Sequence, residues 1–133
     1  MTSDPVTLDP DDTLMRAVEV MRLRGVRRVP IVVGTRLVGL LVEGDLKRAE
    51  PSPLDESQEE FERVMEGTPI ARIMIQSPLT VTADLPLLEA AKILQRTKYG
   101  ALPVVAGDQL IGILTDNDLL RAFIDVTSGD EKA

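Results

Sequence analysis

The sequence predicts a mixed α/β (α+β) fold. Two near-copies of one strand–helix–strand–strand–helix unit are expected to pack with pseudo-twofold symmetry. Three observations carry that expectation. First, the chain repeats itself at an offset of 73 residues without a gap. Met1–Ala49 aligns onto Met74–Ala122, and 16 of those 49 pairs are identical, among them Pro5/Pro78, Thr7/Thr80, Pro30/Pro103, Gly39/Gly112, Asp45/Asp118 and Arg48/Arg121. Second, both copies pass from helical to strand periodicity at the same place. Third, a unit of 49 residues rarely buries enough surface to stand alone, so two copies within 133 residues must share a core.

The elements follow in order. Val6-Thr7-Leu8 and Leu79-Thr80-Val81 read as short strands. Asp11-Asp12-Thr13 and Asp84-Leu85-Pro86 read as helix starts, with an acidic cap and, in the second copy, a proline suited to the first turn. Leu14, Ala17, Val18 and Met21, and in register Leu87, Ala90, Ala91 and Leu94, recur at i, i+3, i+4, i+7 and mark one buried face. Val29–Val33 with Leu37–Val42, and Leu102–Ala106 with Leu110–Leu114, are continuous apolar runs, hence buried strands. Gly34-Thr35 and Gly107-Asp108 separate them, and a leading glycine suits a II′ hairpin turn. Short helices near Asp45–Ala49 and Asp118–Phe123 close the copies.

The resulting division is repeat 1 over 1–49, an acidic linker over 50–73, repeat 2 over 74–125 and a flexible tail over 126–133. Within the linker, Pro51-Ser52-Pro53 breaks the chain, Asp55–Glu66 reads as an acidic helix and Gly67 as its stop.

Composition excludes several classes of chemistry. The chain has no His, Cys or Trp. It therefore offers no Cys/His zinc site, thiol nucleophile, Ser-His-Asp triad or histidine base. Net charge is −7, distributed as +1 over 1–49, −5 over 50–73, −1 over 74–122 and −2 over 123–133. That balance argues against nucleic acid, whose phosphates demand a basic face. One basic cluster stands out: Arg22, Arg24, Arg27 and Arg28, readable as a helix end or as part of an anion site. No apolar run reaches the ~18 residues of a membrane span, and no signal-peptide pattern opens the chain. A cytoplasmic protein without membrane association is expected.

The strings Gly100-Ala101-Leu102-Pro103-Val104-Val105 and Gly112-Ile113-Leu114-Thr115-Asp116-Asn117-Asp118-Leu119-Leu120 strongly resemble the cystathionine-β-synthase (CBS) domain. So do Pro10-Asp11-Asp12-Thr13-Leu14 and Gly25-Val26-Arg27-Arg28-Val29-Pro30. Nearly the whole chain is similar to a tandem pair, or Bateman module. The spacer beginning Ala49-Glu50-Pro51-Ser52-Pro53 resembles that of stand-alone pairs grouped with acetoin-utilisation accessory proteins. Pro69–Ile73 resembles the family's lead-in to a repeat, yet repeat 1 begins at Met1 without one. The sequence leaves open whether repeat 1 still makes the strand-like contact such a segment provides.

Thr115-x-x-Asp118 is first of all a capping box for the last helix. The resemblance gives it a second role. In CBS pairs the pattern holds adenosine nucleotides, the acid accepting ribose hydroxyls and the hydroxyl residue donating to phosphate. Carried over residue by residue, one site would join Thr115 and Asp118 to Thr7, Val26, Arg27, Arg28 and Pro30 of the other repeat. A weaker site would join Asp45 to Thr80, Tyr99, Gly100, Ala101 and Pro103. There Val42 replaces the threonine, and Glu43 adds negative charge.

The resemblance thus implies a non-catalytic regulatory module for AMP, ADP, ATP or a related adenosyl compound, with no required cofactor and no metal. It would act on an unidentified enzyme or transporter and associate as a homodimer. Stripe residues with Met15, Val20 and Leu88 would supply the apolar surface for that association. The alternative is a structural, dimerising module whose clefts stay empty. An enzyme ranks third; Asp116 and Asp118 could hold Mg²⁺, but capping accounts for them.

Overall fold

The computed structural model describes residues 1–52 and 57–132. Repeat 1 contributes helix α1 (Leu14–Arg24), strands β1 (Arg28–Val33) and β2 (Arg36–Val42) and helix α2 (Glu43–Ala49). The linker forms α3 (Gln58–Gly67) and a 3₁₀ turn at Ile70–Arg72. Repeat 2 follows with β3 (Ile75–Gln76), α4 (Leu87–Arg96), β4 (Ala101–Ala106), β5 (Gln109–Thr115) and α5 (Asp116–Lys132). The expected mixed fold is present, and each repeat keeps the helix–strand–strand–helix part of the expected order.

Each repeat supplies an antiparallel hairpin, β1–β2 and β4–β5. Gly34 and Gly107, both at φ +65, occupy the first loop positions; positive φ there alone is the pattern of a II′ turn. The hairpins meet edge to edge, giving one sheet in the order β1-β2-β5-β4 with β3 alongside β2. Their junction is short. Arg36 pairs with Gln109, and Leu37 and Leu110 donate backbone bonds of 3.0 and 2.9 Å to Asp108 and Thr35.

The seam is completed by two crossings related by the repeat. Ile75-Gln76 lies on Leu40-Gly39, and Thr2 bridges Ile113 through two backbone bonds of 3.0 Å. The contact left open by the sequence therefore exists in shortened form. Glycine is required at both crossings. A Cβ at Gly39 would lie 2.5 Å from Met74 Sδ and 3.0 Å from Ile75 O, and one at Gly112 would lie 2.8 Å from Thr2 O.

Three expectations about elements are corrected. The strands expected at Val6–Leu8 and Leu79–Val81 shrink to single parallel bridges, Leu8 to Ile31 and Val81 to Val104. Extending either ladder backwards needs an N–H from position 30 or 103, and both are proline. The cap of α1 is not acidic: Thr13 Oγ1 accepts from Arg16 N at 3.1 Å, while Asp9 and Asp12 brace the preceding turn. Pro86 stands at the N-cap of α4, one position before the first helical residue. Lastly, α5 runs on to Lys132 through the segment expected as a flexible tail from 126. No proline interrupts it, and one glycine costs a helix only about 1 kcal/mol. The linker helix is capped by Ser57, which accepts from Glu60 N at 3.1 Å; its expected start at Asp55 lies outside the described residues.

The interior divides in three. Around repeat 1, Leu14, Ala17, Val20, Met21, Val29, Ile31, Leu41 and Leu46 bury together with Met65 and Ile70 from the linker. Around repeat 2, Val81, Ala90, Leu94, Leu102, Val104 and Leu114 form a smaller cluster. Between them Leu40 of repeat 1 meets Ala101 and Ile113 of repeat 2, with Val42, Ile75 and Tyr99 packed alongside. The seam is apolar, so the repeats are held together mainly by burial.

Val20, expected on an outer face, is 7% exposed and belongs to the core, and Met15 packs against it. Leu87, expected inside, is 51% exposed. The linker helix explains the difference between the repeats. Phe61 and Met65 cover the repeat 1 side, whereas Leu87, Leu88, Leu120, Phe123, Ile124 and Val126 of α4 and α5 remain exposed.

Candidate ligand-binding cleft

Two cavities open along the seam, each where a helix starts at the close of a hairpin. The larger, about 710 Å³, is lined by Thr115, Asp116, Asn117, Asp118 and Arg121 of repeat 2. Facing them across the seam are Thr2, Asp4, Pro5 and Val6 and the run Arg24–Arg28 of repeat 1. The smaller, about 390 Å³, is lined by Val42, Glu43, Gly44, Asp45 and Arg48, facing Ile75, Lys98 and Tyr99, and again by Arg27 and Arg28.

Local chemistry positions the groups in the larger cavity. Thr115 ends β5 and Asp118 enters α5, so both sit at the strand-to-helix corner. They form a reciprocal capping box: Thr115 N donates to Asp118 Oδ2 at 2.9 Å, and Asp118 N donates to Thr115 Oγ1 at 3.3 Å. The box leaves chemistry to spare. Among the described residues the threonine hydroxyl is used only as an acceptor, so its proton can be donated elsewhere. Among the described residues Asp118 Oδ1 takes no hydrogen bond, so a diol can bind there. Across the cavity, α1 ends at Gly25 in the left-handed conformation (φ 64). That turn releases Val26, Arg27 and Arg28 towards the helix start.

Of the expected residues at this site, Thr115, Asp118, Val26, Arg27 and Arg28 share the cavity lining. Thr7 does not: it is exposed and lines a separate shallow cavity of about 380 Å³. Along this segment the lining of the larger cavity ends at Val6, one residue short of it. Pro30 is fully buried inside β1. Arg24 and Arg121 on the lining add cations, Asp4 and Asp116 add acids. Arg121 was legible in principle, since it lies one helical turn beyond Asp118 and repeats the Asp45–Arg48 spacing. Asp4 was not, because only the crossing of Thr2 over Gly112 brings it there.

The smaller cavity departs more from expectation. Asp45 and Tyr99 line it, but Thr80 does not, Gly100 lies outside it, and Ala101 and Pro103 are buried in β4. Tyr99 both fills the seam and faces the cavity. Val42 provides no side-chain cap for α2, and Asp45 is paired instead with Arg48. Glu43, expected to repel phosphate, is ion-paired to Lys47 at 3.3 Å, and the lining holds four cations against two acids.

The two cavities are joined by Arg28. Its Nη2 lies 3.5 Å from Asp116 Oδ2, so a repeat 1 arginine pairs with the first residue of α5. The pair crosses Gly100, where a Cβ would sit 2.6 Å from that nitrogen and 2.8 Å from the carboxylate oxygen. Glycine at position 100 is thus needed both for its φ of +63 and for the passage of the arginine. Among the described residues no cluster of three or more His, Cys, Asp or Glu could hold a metal, and no helix is long and apolar enough to cross a membrane.

Comparison with known proteins agrees with this geometry. The CBS-domain profile matches residues 1–52 and 70–125. A CBS domain-containing protein of Dictyostelium discoideum is 33% identical over 129 residues, 95% of this chain and 89% of that protein. An inosine-5'-monophosphate dehydrogenase of Korarchaeum cryptofilum is 32% identical over 117 residues, 87% of this chain but 22% of the enzyme. Among solved structures, a Vibrio cholerae protein named for acetoin utilization (AcuB) superposes with a TM-score of 0.80 at 34% identity, covering 100% of this chain and 93% of that one. CBSX2 of Arabidopsis thaliana in complex with AMP gives 0.78 at 28% identity, covering 93% and 90%. With both repeats matched and folded as one clasped pair, the chain belongs to the CBS-domain family.

Proposed function

We propose that this chain is a non-catalytic regulatory module that binds an adenine nucleotide or a related adenosyl compound in the larger cavity. One observation carries the reading: the Thr115–Asp118 box of repeat 2 and Arg27 and Arg28 of repeat 1 line the same 710 Å³ space. Asp118 would receive the ribose hydroxyls. Thr115, the start of α5 and the arginines would receive phosphate, with guanidinium forks suited to that anion. Apolar Val26 and Ile113 on the lining offer a wall for the base. The AMP complex of CBSX2, a relative at 28% identity, supports the same ligand class. The smaller cavity is a second, weaker site with Asp45 for ribose and Tyr99 for stacking.

A ligand in the seam would favour one relative tilt of the repeats. The effect on a partner equals its difference in affinity for two tilts, typically ~1–3 kcal/mol. The partner read by that tilt is an enzyme or transporter, or a second copy of the chain. We also propose a homodimer through the bare α4–α5 face, where Leu88, Leu120 and Phe123 are 66%, 61% and 68% exposed. That face is also the observation favouring the alternative, a dimerising module with empty clefts.

Calorimetric titration with AMP, ADP, ATP, S-adenosylmethionine and NAD tests the reading. At least one ligand should bind, and Thr115→Val with Asp118→Ala should abolish that binding while circular dichroism stays native. No heat and no melting shift at millimolar ligand would establish the scaffold reading instead. Nucleotide turnover by the purified protein would overturn the non-catalytic assignment.

A further inference from the structure

We infer that Arg28 couples the two cavities antagonistically: a phosphorylated ligand in one weakens binding of a phosphorylated ligand in the other. The inference rests on the nucleotide reading above and adds the regulation of its site.

The argument begins with a break in the internal symmetry. At the repeat offset, Arg27 corresponds to Gly100 and Arg28 to Ala101. Repeat 2 therefore has no cation at the mirrored positions. A symmetric pair would give each cavity its own arginines; here one pair lines both. Arg28 is the more constrained of the two. Its side chain is 26% exposed, and its guanidinium is held against Asp116 across Gly100, with no room beside it for even a methyl group.

A guanidinium carries five donors but a single charge. An anion in the larger cavity draws Arg28 towards itself and competes with Asp116 for it. An anion in the smaller cavity meets the same arginine from the other side. The remaining cations do not compensate equally. Arg24 and Arg121 serve only the larger cavity; Lys98 and Arg48 serve only the smaller, and Arg48 is already paired with Asp45. The second anion thus enters a site whose shared cation is committed. Because the interaction is between charges, it weakens with salt.

The test compares ATP binding with both sites present and with each alone. Asp118→Asn and Asp45→Asn isolate the smaller and larger cavity respectively, and both substitutions keep side-chain size. The fluorine resonance of 3-fluorotyrosine at Tyr99, the single tyrosine of the chain, reports the smaller cavity directly. The product of the two stepwise dissociation constants of the native chain should exceed the product of the isolated constants at least fivefold. In Arg28→Gln background the two products should agree within twofold, and raising salt should narrow the native gap. A native chain that binds one ATP, with the Tyr99 site filling in Asp118→Asn, is the extreme of the same coupling. Equal products in the native chain, or a gap that survives Arg28→Gln, overturn the inference and leave the nucleotide reading standing. Absence of ATP binding in every variant overturns the inference, and absence of binding by AMP, ADP, S-adenosylmethionine and NAD as well overturns both.

Discussion

Gly112→Ala is expected to loosen the amino-terminal strap and, with it, one wall of the larger cavity. The added Cβ would lie 2.8 Å from Thr2 O and 2.8 Å from Met1 Sδ. The thioether can swing aside, but the carbonyl belongs to the backbone and must retreat by about 0.5 Å to reach an ordinary carbon–oxygen contact. That retreat strains both Thr2–Ile113 bonds, each 3.0 Å long. A backbone bond contributes about 0.5–1.5 kcal/mol net, so losing the pair costs about 1–3 kcal/mol. The loss stops there, because a chain terminus can peel away while the sheet stays folded. Urea unfolding measures the cost, and hydrogen exchange at Ile113 N–H locates it. Thr2, Asp4, Pro5 and Val6 line the cavity, so nucleotide affinity should fall although Thr115 and Asp118 are untouched. Gly67→Ala is the control: nothing lies within 4 Å of its Cβ, and at the last residue of α3 it should cost no stability. Native stability and unchanged Ile113 protection in Gly112→Ala would refute the crossing as described.

Other perturbations address the remaining joints. Met65→Ala, at 1% exposure, should destabilise by about 2–5 kcal/mol in equilibrium unfolding, because the linker helix completes the repeat 1 core. Thr13→Ala removes the cap of α1 and should cost about 1 kcal/mol, whereas Val42→Ala, at a position without a side-chain cap, should lose only its partial apolar burial. If the proposed homodimer forms through α5, Leu120→Glu with Phe123→Glu should leave far-ultraviolet circular dichroism native and halve the mass measured by light scattering; an unchanged mass would overturn that proposed interface.

Residues near one another in sequence carried most of the architecture. The offset of 73 made repeat 2 a check on repeat 1, and the two hairpins and the helices α1, α2 and α4 fall within a few residues of the expected spans because their apolar periods are local properties. The capping box was equally legible, since Thr115 and Asp118 are three residues apart and need only a helix start between them. The reach of α5 to Lys132 was missed because the last residues of a chain commonly fray, which favours reading a polar terminus as a tail.

The sequence by itself thus determined the two-copy design, the hairpins and the helix-start chemistry of both cavities, all of which depend on short-range period and turn chemistry. Only the tertiary structure decided how that chemistry is shared. The linker covers one helical face and leaves the other bare. Proline confines the first strands to single bridges, and Thr7 lies outside the larger cavity. The crossing over Gly112 brings Asp4 into a wall made by the opposite repeat, and the passage over Gly100 gives two cavities one arginine pair. Such long-range meetings depend on the relative placement of whole units, which pattern within either unit does not encode.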